Sequence, residues 1–154
     1  MSPEFHILLV EDSRTDVKII ERALREGNVA HRLTVLHDGQ HALDYFARLD
    51  DPECPPELDP DLVLLDLNLP GIDGTQVLTR IKQHPTLRTT PVVVLTTSRR
   101  EEDVLQTYLA GANTYIQKPA EYPLYRDLVM TLRHYWHETA VRPPRNHPRP
   151  ETGA

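Results

Sequence analysis

Four short stretches carry the side chains that could do chemistry: the acidic pair Glu11-Asp12, the lone acid Asp66, the hydroxyl run Thr96-Thr97-Ser98, and Lys118 immediately before Pro119. Each has an ordinary reading in isolation. Glu11-Asp12 suits a solvated turn ahead of a helix N-cap, Asp66-x-Asn68 before Pro70-Gly71 is good turn chemistry, Thr96 suits a strand terminus and Lys118 a strand end. Brought together they would do something else. Carboxylates about 4 Å apart at an effective dielectric near 20 repel by roughly 4 kcal/mol per ionised pair, so three of them need a cation to offset them. Oxygen ligands with no histidine or cysteine nearby favour a hard ion, and Mg2+, which keeps waters and shares phosphate oxygens, fits better than zinc. Lys118 would add a mobile point charge for a phosphoryl group, and Thr96 a hydrogen bond to it.

Bringing them together is the task of the elements between them. Five apolar runs recur: FHILLV (5–10), HRLTVL (31–36), DLVLLD (61–66), TPVVVLT (90–96) and NTYIQK (113–118). Three are nearly continuous, the pattern of a strand buried on both faces of a parallel sheet. Segments with helical spacing lie between them: Val17, Ile20 and Leu24 form one stripe, and Val77, Leu78 and Ile81 another. Ser98 and Glu101 have capping-box spacing at the start of a fourth helix that Gly111 is placed to end. Five strand–helix alternations predict an α/β fold, a doubly wound parallel sheet with right-handed crossovers. Ligands of such sheets bind outside the carboxyl ends of the strands, where all four chemical stretches fall.

Two stretches break the alternation. LDDPECPPELDP (49–60), with four prolines and five acids, predicts an irregular, solvated insertion between the second helix and the third strand. RPPRNHPRPETGA (142–154) is proline-rich and without aromatics, which predicts disorder; the domain is expected over 1–140 and a Pro/Arg-rich tail over 141–154. At 154 residues the chain has the size of one domain. Its net charge of -6 and pI of about 5.7 argue against nucleic acid or anionic membrane as partner and leave proteins. A single cysteine, Cys54, rules out an internal disulfide; no basic, apolar leader opens the sequence and no apolar run reaches membrane-span length. A cytoplasmic protein is expected.

An acidic pair after the first strand, Asp66, Thr96 thirty residues on and Lys118-Pro119 twenty-two further on together resemble the receiver domain of two-component response regulators, over about residues 5–138. Within that family, LDLNLPGIDG, VVVLTTS and the acidic insertion look most like the single-domain regulators that serve bacterial phytochromes and related histidine kinases. The resemblance implies a flavodoxin-like sheet of order 2-1-3-4-5 with five helices. It implies Asp66 as phosphoacceptor, and Glu11, Asp12, Asp66 and the backbone carbonyl of Asn68 as ligands of Mg2+. Thr96, Thr97, Lys118 and Tyr115 would bind the phosphoryl group and carry the switch, while Asn68 and Ser98 would tune dephosphorylation. Glu11 stands where the family commonly has Asp, and its longer arm is expected to reach the metal through water.

The implied activity is that of a signalling phosphoprotein, not an enzyme: a histidine kinase, of phytochrome type, passes a phosphoryl group to Asp66, and the face of the fourth helix, fifth strand and fifth helix changes shape for phosphorelay signalling. The last helix, LYRDLVMTLRHYW (124–136), carries two stripes, Leu124, Leu128 and Tyr135 beside Tyr125, Val129, Leu132 and Trp136. That exceeds one buried face and predicts a homodimer through this helix or the face it belongs to. An aspartyl-phosphate hydrolase is disfavoured because the second acid of its Asp-x-Asp is here Asn68. A phosphorylation-independent adaptor with the same fold is the alternative, although none of Asp66, Thr96 and Lys118 is missing.

Overall fold

The computed structural model describes residues 4–27 and 31–144. Their strands are β1 (Phe5–Val10), β2 (His31–Leu36), β3 (Leu62–Leu65), β4 (Val92–Thr96) and β5 (Thr114–Gln117). Between them run α1 (Arg14–Glu26), α2 (Gly39–Leu49), α3 (Gly74–Gln83) and α4 (Glu101–Leu109), with α5 (Tyr122–His134) after the last strand. All strand pairs are parallel and the sheet order is β2-β1-β3-β4-β5, as expected. The three nearly continuous apolar runs are the three central strands, each buried along its whole length, whereas the edge strands β2 and β5 are mostly half-buried.

Side chains alternate across a strand, so a central strand must be apolar on both faces. Leu8, Val10, Val63, Leu65, Val92 and Val94 pack on one face with Ala42 and Phe46 of α2 and Val77, Leu78 and Ile81 of α3. Ile7, Leu9, Leu62, Leu64, Val93 and Leu95 pack on the other with Val17, Ile20 and Leu24 of α1 and Tyr125, Val129 and Leu132 of α5. The sheet is thereby clamped from both sides and its strand ends become fixed points. Among the described residues no helix is long and apolar enough to cross a membrane.

Two local expectations are revised. The helix after β4 starts at Glu101 with Arg100 as N-cap and no side-chain cap. The Ser98–Glu101 capping box does not form, because the Ser98 hydroxyl donates to Asp103 Oδ2 (2.6 Å) and accepts from the Arg100 N–H. The 49–60 insertion is not wholly solvated: Cys54 and Asp59 are buried, Pro56–Leu58 form a 3-10 turn, and the Tyr45 hydroxyl donates to the Leu58 carbonyl at 2.6 Å. Its exposed acids Asp50, Asp51, Glu53 and Glu57 face water while its few apolar side chains turn in. Of the expected tail, residues 145–154 lie outside the described residues. Arg142 lies within them, donating to the Trp136 carbonyl at 3.0 Å with its guanidinium over the Phe5 ring.

The turn after β3 is shaped by its glycines. Gly71 takes a φ of +71°, a left-handed conformation that L side chains rarely adopt. A Cβ on Gly74 would lie 2.2 Å from the Asp66 carbonyl oxygen and 2.5 Å from Leu67 Cα, so α3 can begin this close to the strand end only without a side chain. Gly74→Ala should destabilise the protein by about 1–3 kcal/mol, the usual cost of overpacking against atoms that cannot yield. Urea denaturation checks it, and an unchanged midpoint would refute the close approach.

Candidate functional site

One hydrogen bond past the ends of β1, β3 and β5 fixes three of the residues predicted to do chemistry. The Glu11 N–H donates to Leu36 O (3.0 Å), the Asp66 N–H to Val10 O (3.0 Å) and the Lys118 N–H to Thr96 O (2.8 Å). Each side chain thus leaves its backbone at the last point where the ladder still holds it. The carboxyl edge of the sheet gathers all four stretches, with Asp66 5% and Thr96 0% exposed.

At the centre lies the Lys118 ammonium. Its Nζ donates to Asp16 Oδ2 (2.8 Å), to Glu11 Oε2 (3.0 Å) and Oε1 (3.1 Å), and to Asp66 Oδ2 (3.1 Å). The lysine side chain is only 7% exposed. Burial would lower its pKa, but the hydrogen bond to Asp16 and the charges of Glu11 and Asp66 outweigh burial and hold it above the usual lysine range. Glu11 moves the other way: burial, reinforced by the charge of Asp66, pushes its carboxyl up to about 8 despite the ammonium beside it. Four acids and one lysine leave the site rich in negative charge.

Glu11, Asp12 and Asp66 each offer a carboxylate oxygen, all within 4.8 Å of one another. Asp12 is exposed, so the cluster opens to water on one side. An all-oxygen donor set without histidine or cysteine fits a hard divalent cation.

The remaining predicted residues form a second chain of contacts. The Asn68 N–H donates to Asp66 Oδ1 (3.1 Å), and its side-chain amide donates to Thr96 Oγ1 (3.1 Å) and Thr97 Oγ1 (3.5 Å). Thr96 Oγ1 also accepts from the Ser98 N–H at 3.3 Å. The Tyr115 hydroxyl donates to the Ser98 carbonyl (3.0 Å), and the Tyr115 N–H donates to the Tyr108 hydroxyl on α4 (3.0 Å). The acid at β3 is therefore linked by hydrogen bonds through Asn68, Thr96 and Ser98 to Tyr115, on the face of α4, β5 and α5.

Sequence reasoning missed Asp16. The signal was present as Ser13-x-x-Asp16, a spacing for a helix start: the Ser13 hydroxyl does accept from the Asp16 N–H at 3.2 Å. Nothing in the spacing says that the Asp16 carboxylate turns across to a lysine 102 residues away. Tyr125 was read only as part of an apolar stripe, yet it lines the same cleft as Asp16, Thr97 and Lys118.

Comparison with known proteins agrees with this geometry. The family model described as the response regulator receiver domain matches residues 7–129. Response regulator Rcp1 of Synechocystis is 39% identical over 142 residues, covering 92% of this chain and 95% of that protein. The solved structure of the phosphorylated cyanobacterial phytochrome response regulator RcpA superposes with a TM-score of 0.82 at 38% identity, covering 92% of this chain and 99% of RcpA. The Mn(2+)-bound form of Rcp1 superposes with a TM-score of 0.80 at 38% identity, covering 90% and 99%.

Replacing the central cation tests how the cluster is held. Lys118→Met leaves Glu11, Asp16 and Asp66 facing an apolar side chain. It should remove roughly 3–5 kcal/mol of stability, the cost of leaving buried charge without its partner. Excess Mg2+ should return part of the loss by binding the folded state. Urea denaturation with and without the ion measures both effects.

Proposed function

The chain belongs to the response regulator receiver domain family, and from that premise we propose that it is a signalling phosphoprotein that accepts a phosphoryl group on Asp66 from a histidine kinase. The observation that carries this reading is Asp66 itself: a carboxylate at the end of a wholly buried strand, 5% exposed, with Oδ2 3.1 Å from a lysine that stays protonated. The phytochrome regulators among its relatives favour a phytochrome-type kinase as donor. The proposal takes the receiver domain as residues 1–140 and a Pro/Arg-rich tail as 141–154, and the chain's net charge suits protein partners in the cytoplasm.

In the transfer, an Asp66 carboxylate oxygen attacks the phosphorus of the kinase's phosphohistidine in line. The new O–P bond forms as the N–P bond breaks, and the histidine nitrogen keeps the electron pair. Lys118 offers its ammonium to the transferring oxygens, and Thr96 and Thr97 offer hydroxyls from the neighbouring strand end. Glu11, Asp12, Asp66 and the carbonyl of Asn68 would hold Mg2+, which supplies charge neutralisation for the phosphoryl oxygens. Asn68 and Ser98 would tune the approach of the water that later hydrolyses the acyl phosphate.

Phosphorylation adds a charge of roughly -1.5 to -2 beside groups whose hydrogen bonds are already assigned. Thr96 then turns from Asn68 to the phosphoryl oxygens, and the Ser98–Tyr115 link follows. The result is a population shift of the α4-β5-α5 face, biased by contacts that only the phosphorylated state makes. That face is apolar where it meets water: Leu105, Tyr108 and Leu109 on α4 and Leu124 on α5, with Tyr135 just beyond it, are 46–71% exposed. Tyr125, Val129 and Leu132 of the second stripe are buried against the sheet, with Leu128 and Trp136 packed half-buried beside them, so Leu124 and Tyr135 are left for a second copy of the chain.

Incubation with acetyl phosphate and Mg2+ should add the mass of one phosphoryl group to the intact protein. Asp66→Asn should reduce labelling to background. Failure of the wild type to label with any small donor or kinase would overturn the reading and favour the adaptor.

The dimer is checked separately. Leu109→Glu combined with Leu124→Glu should raise the dimer dissociation constant at least tenfold in sedimentation velocity, since each charge would be buried unpaired at the contact, while thermal stability stays within about 0.5 kcal/mol, as for surface sites.

A further inference from the structure

Tyr125 is 2% exposed, and its hydroxyl oxygen is buried without a hydrogen-bond partner among the described residues. A phenol in that position is unusual, because buried tyrosine hydroxyls normally find a partner. Its ring packs in the core between the sheet and α5, and its residue lines the cleft shared by Asp16, Thr97 and Lys118. Burial, then the negative charge of Asp16, holds the phenol pKa above the usual tyrosine range, so the group is a permanent donor.

The bonding of Lys118 indicates what that donor is for. An ammonium has three protons, and here three carboxylates, Glu11, Asp16 and Asp66, take them. A phosphoryl oxygen arriving on Asp66 can be bonded only if one of the three is released. Asp16 is the carboxylate with the most freedom to be released: its side chain is 22% exposed against 2% for Glu11, and it belongs to the first turn of α1, not to a strand end. A released Asp16 would remain in the cleft that Tyr125 also lines, where its charge already acts on the phenol.

We infer that Tyr125 is a positioning residue, a standby donor that takes over the Asp16 carboxylate when Lys118 turns to the phosphoryl group. The inference rests on the phosphoacceptor reading of Asp66. The hydroxyl thereby lowers the cost of freeing the lysine without touching the reacting atoms. The substitution Tyr125→Phe keeps the ring and the packing but leaves Asp16 without a partner in the phosphorylated state.

The test uses beryllofluoride with Mg2+ as the phosphoryl probe and the full chain carrying 13C at tyrosine Cζ. Probe binding is followed by 19F resonances and the hydroxyl by the Tyr125 Cζ shift, assigned by its loss in Tyr125→Phe. The shift is expected to move downfield on binding, and to stay put in Asp16→Asn. Tyr125→Phe should weaken probe binding roughly two- to tenfold, the range of one hydrogen bond in water. In the Asp16→Asn background the same change should have no effect, because the amide needs no cation to replace the lysine. Bound fluoride with an unmoved Cζ shift, or equal losses in both backgrounds, would overturn the inference alone. Absence of bound fluoride would overturn the phosphoacceptor reading and this inference with it.

Discussion

An ammonium group shared among three carboxylates sets the terms for the whole carboxyl edge of the sheet. Lys118 meets Glu11 from the end of β1, Asp16 from α1 and Asp66 from the end of β3, so one cation joins three elements to the end of β5. Such an arrangement is a weak source of stability, because desolvating the charges offsets most of their attraction. Its value is positional. The carboxylates can stand this close only while the cation is between them, and the cation can be buried only while they surround it. Any group that adds charge to Asp66 must redistribute the set.

That redistribution has a route outward because the strands cannot take it up. β1, β3 and β4 are buried on both faces and packed at close to crystal density, so they do not deform continuously. What can rearrange lies at the strand ends: the side chain of Thr96, the last residue of β4, with its bonds to Asn68 and Ser98, and the loop leading into α4. α4 is the α-helix least committed to the core, with Thr107 its one buried residue and no side-chain cap at its start. Tyr115 and Tyr108 connect that loosely held helix to β5. A stiff centre and a loosely docked output helix suit a chain whose proposed role is to convert one bond at Asp66 into a change of surface.

How far the site could be read in the sequence follows from which signals are local. The central strands were legible because burial on both faces leaves nearly unbroken runs such as LLV and VVVL, and the strand-end residues followed because α/β sheets present that edge to ligands. Asp66 stood out as an acid ending such a run. Asp16 and Tyr125 did not, since a first-turn acid and a helical aromatic each satisfy an ordinary local pattern, and their meeting at Lys118 depends on how α1 and α5 pack. Ser98–Glu101 failed for the converse reason: the spacing was right for a capping box, but the chain needs two more residues to leave β4 before the helix can begin, and Ser98 then meets Asp103. The 49–60 segment misled through composition alone. Four of its five acids are in water, but Asp59 is buried, and Cys54 and Leu58 pack inward with Tyr45 and Phe46 of α2.

The two stripes of α5 show why the chemistry and the surface belong to one design. Tyr125, Val129 and Leu132 seal α5 onto the sheet, and the first of them also reaches the cleft of Lys118. Leu124, one residue before Tyr125, projects into water and, like Leu105 and Leu109 of α4, is more than half exposed. A helix turns about 100° per residue, so neighbouring positions at its N-terminal turn serve opposite tasks: one faces the charge cluster and the other the proposed dimer contact. A small rotation of α5 would change both at once. Coupling between Asp66 and the apolar face therefore needs no long pathway through the core, because the first turn of α5 borders both.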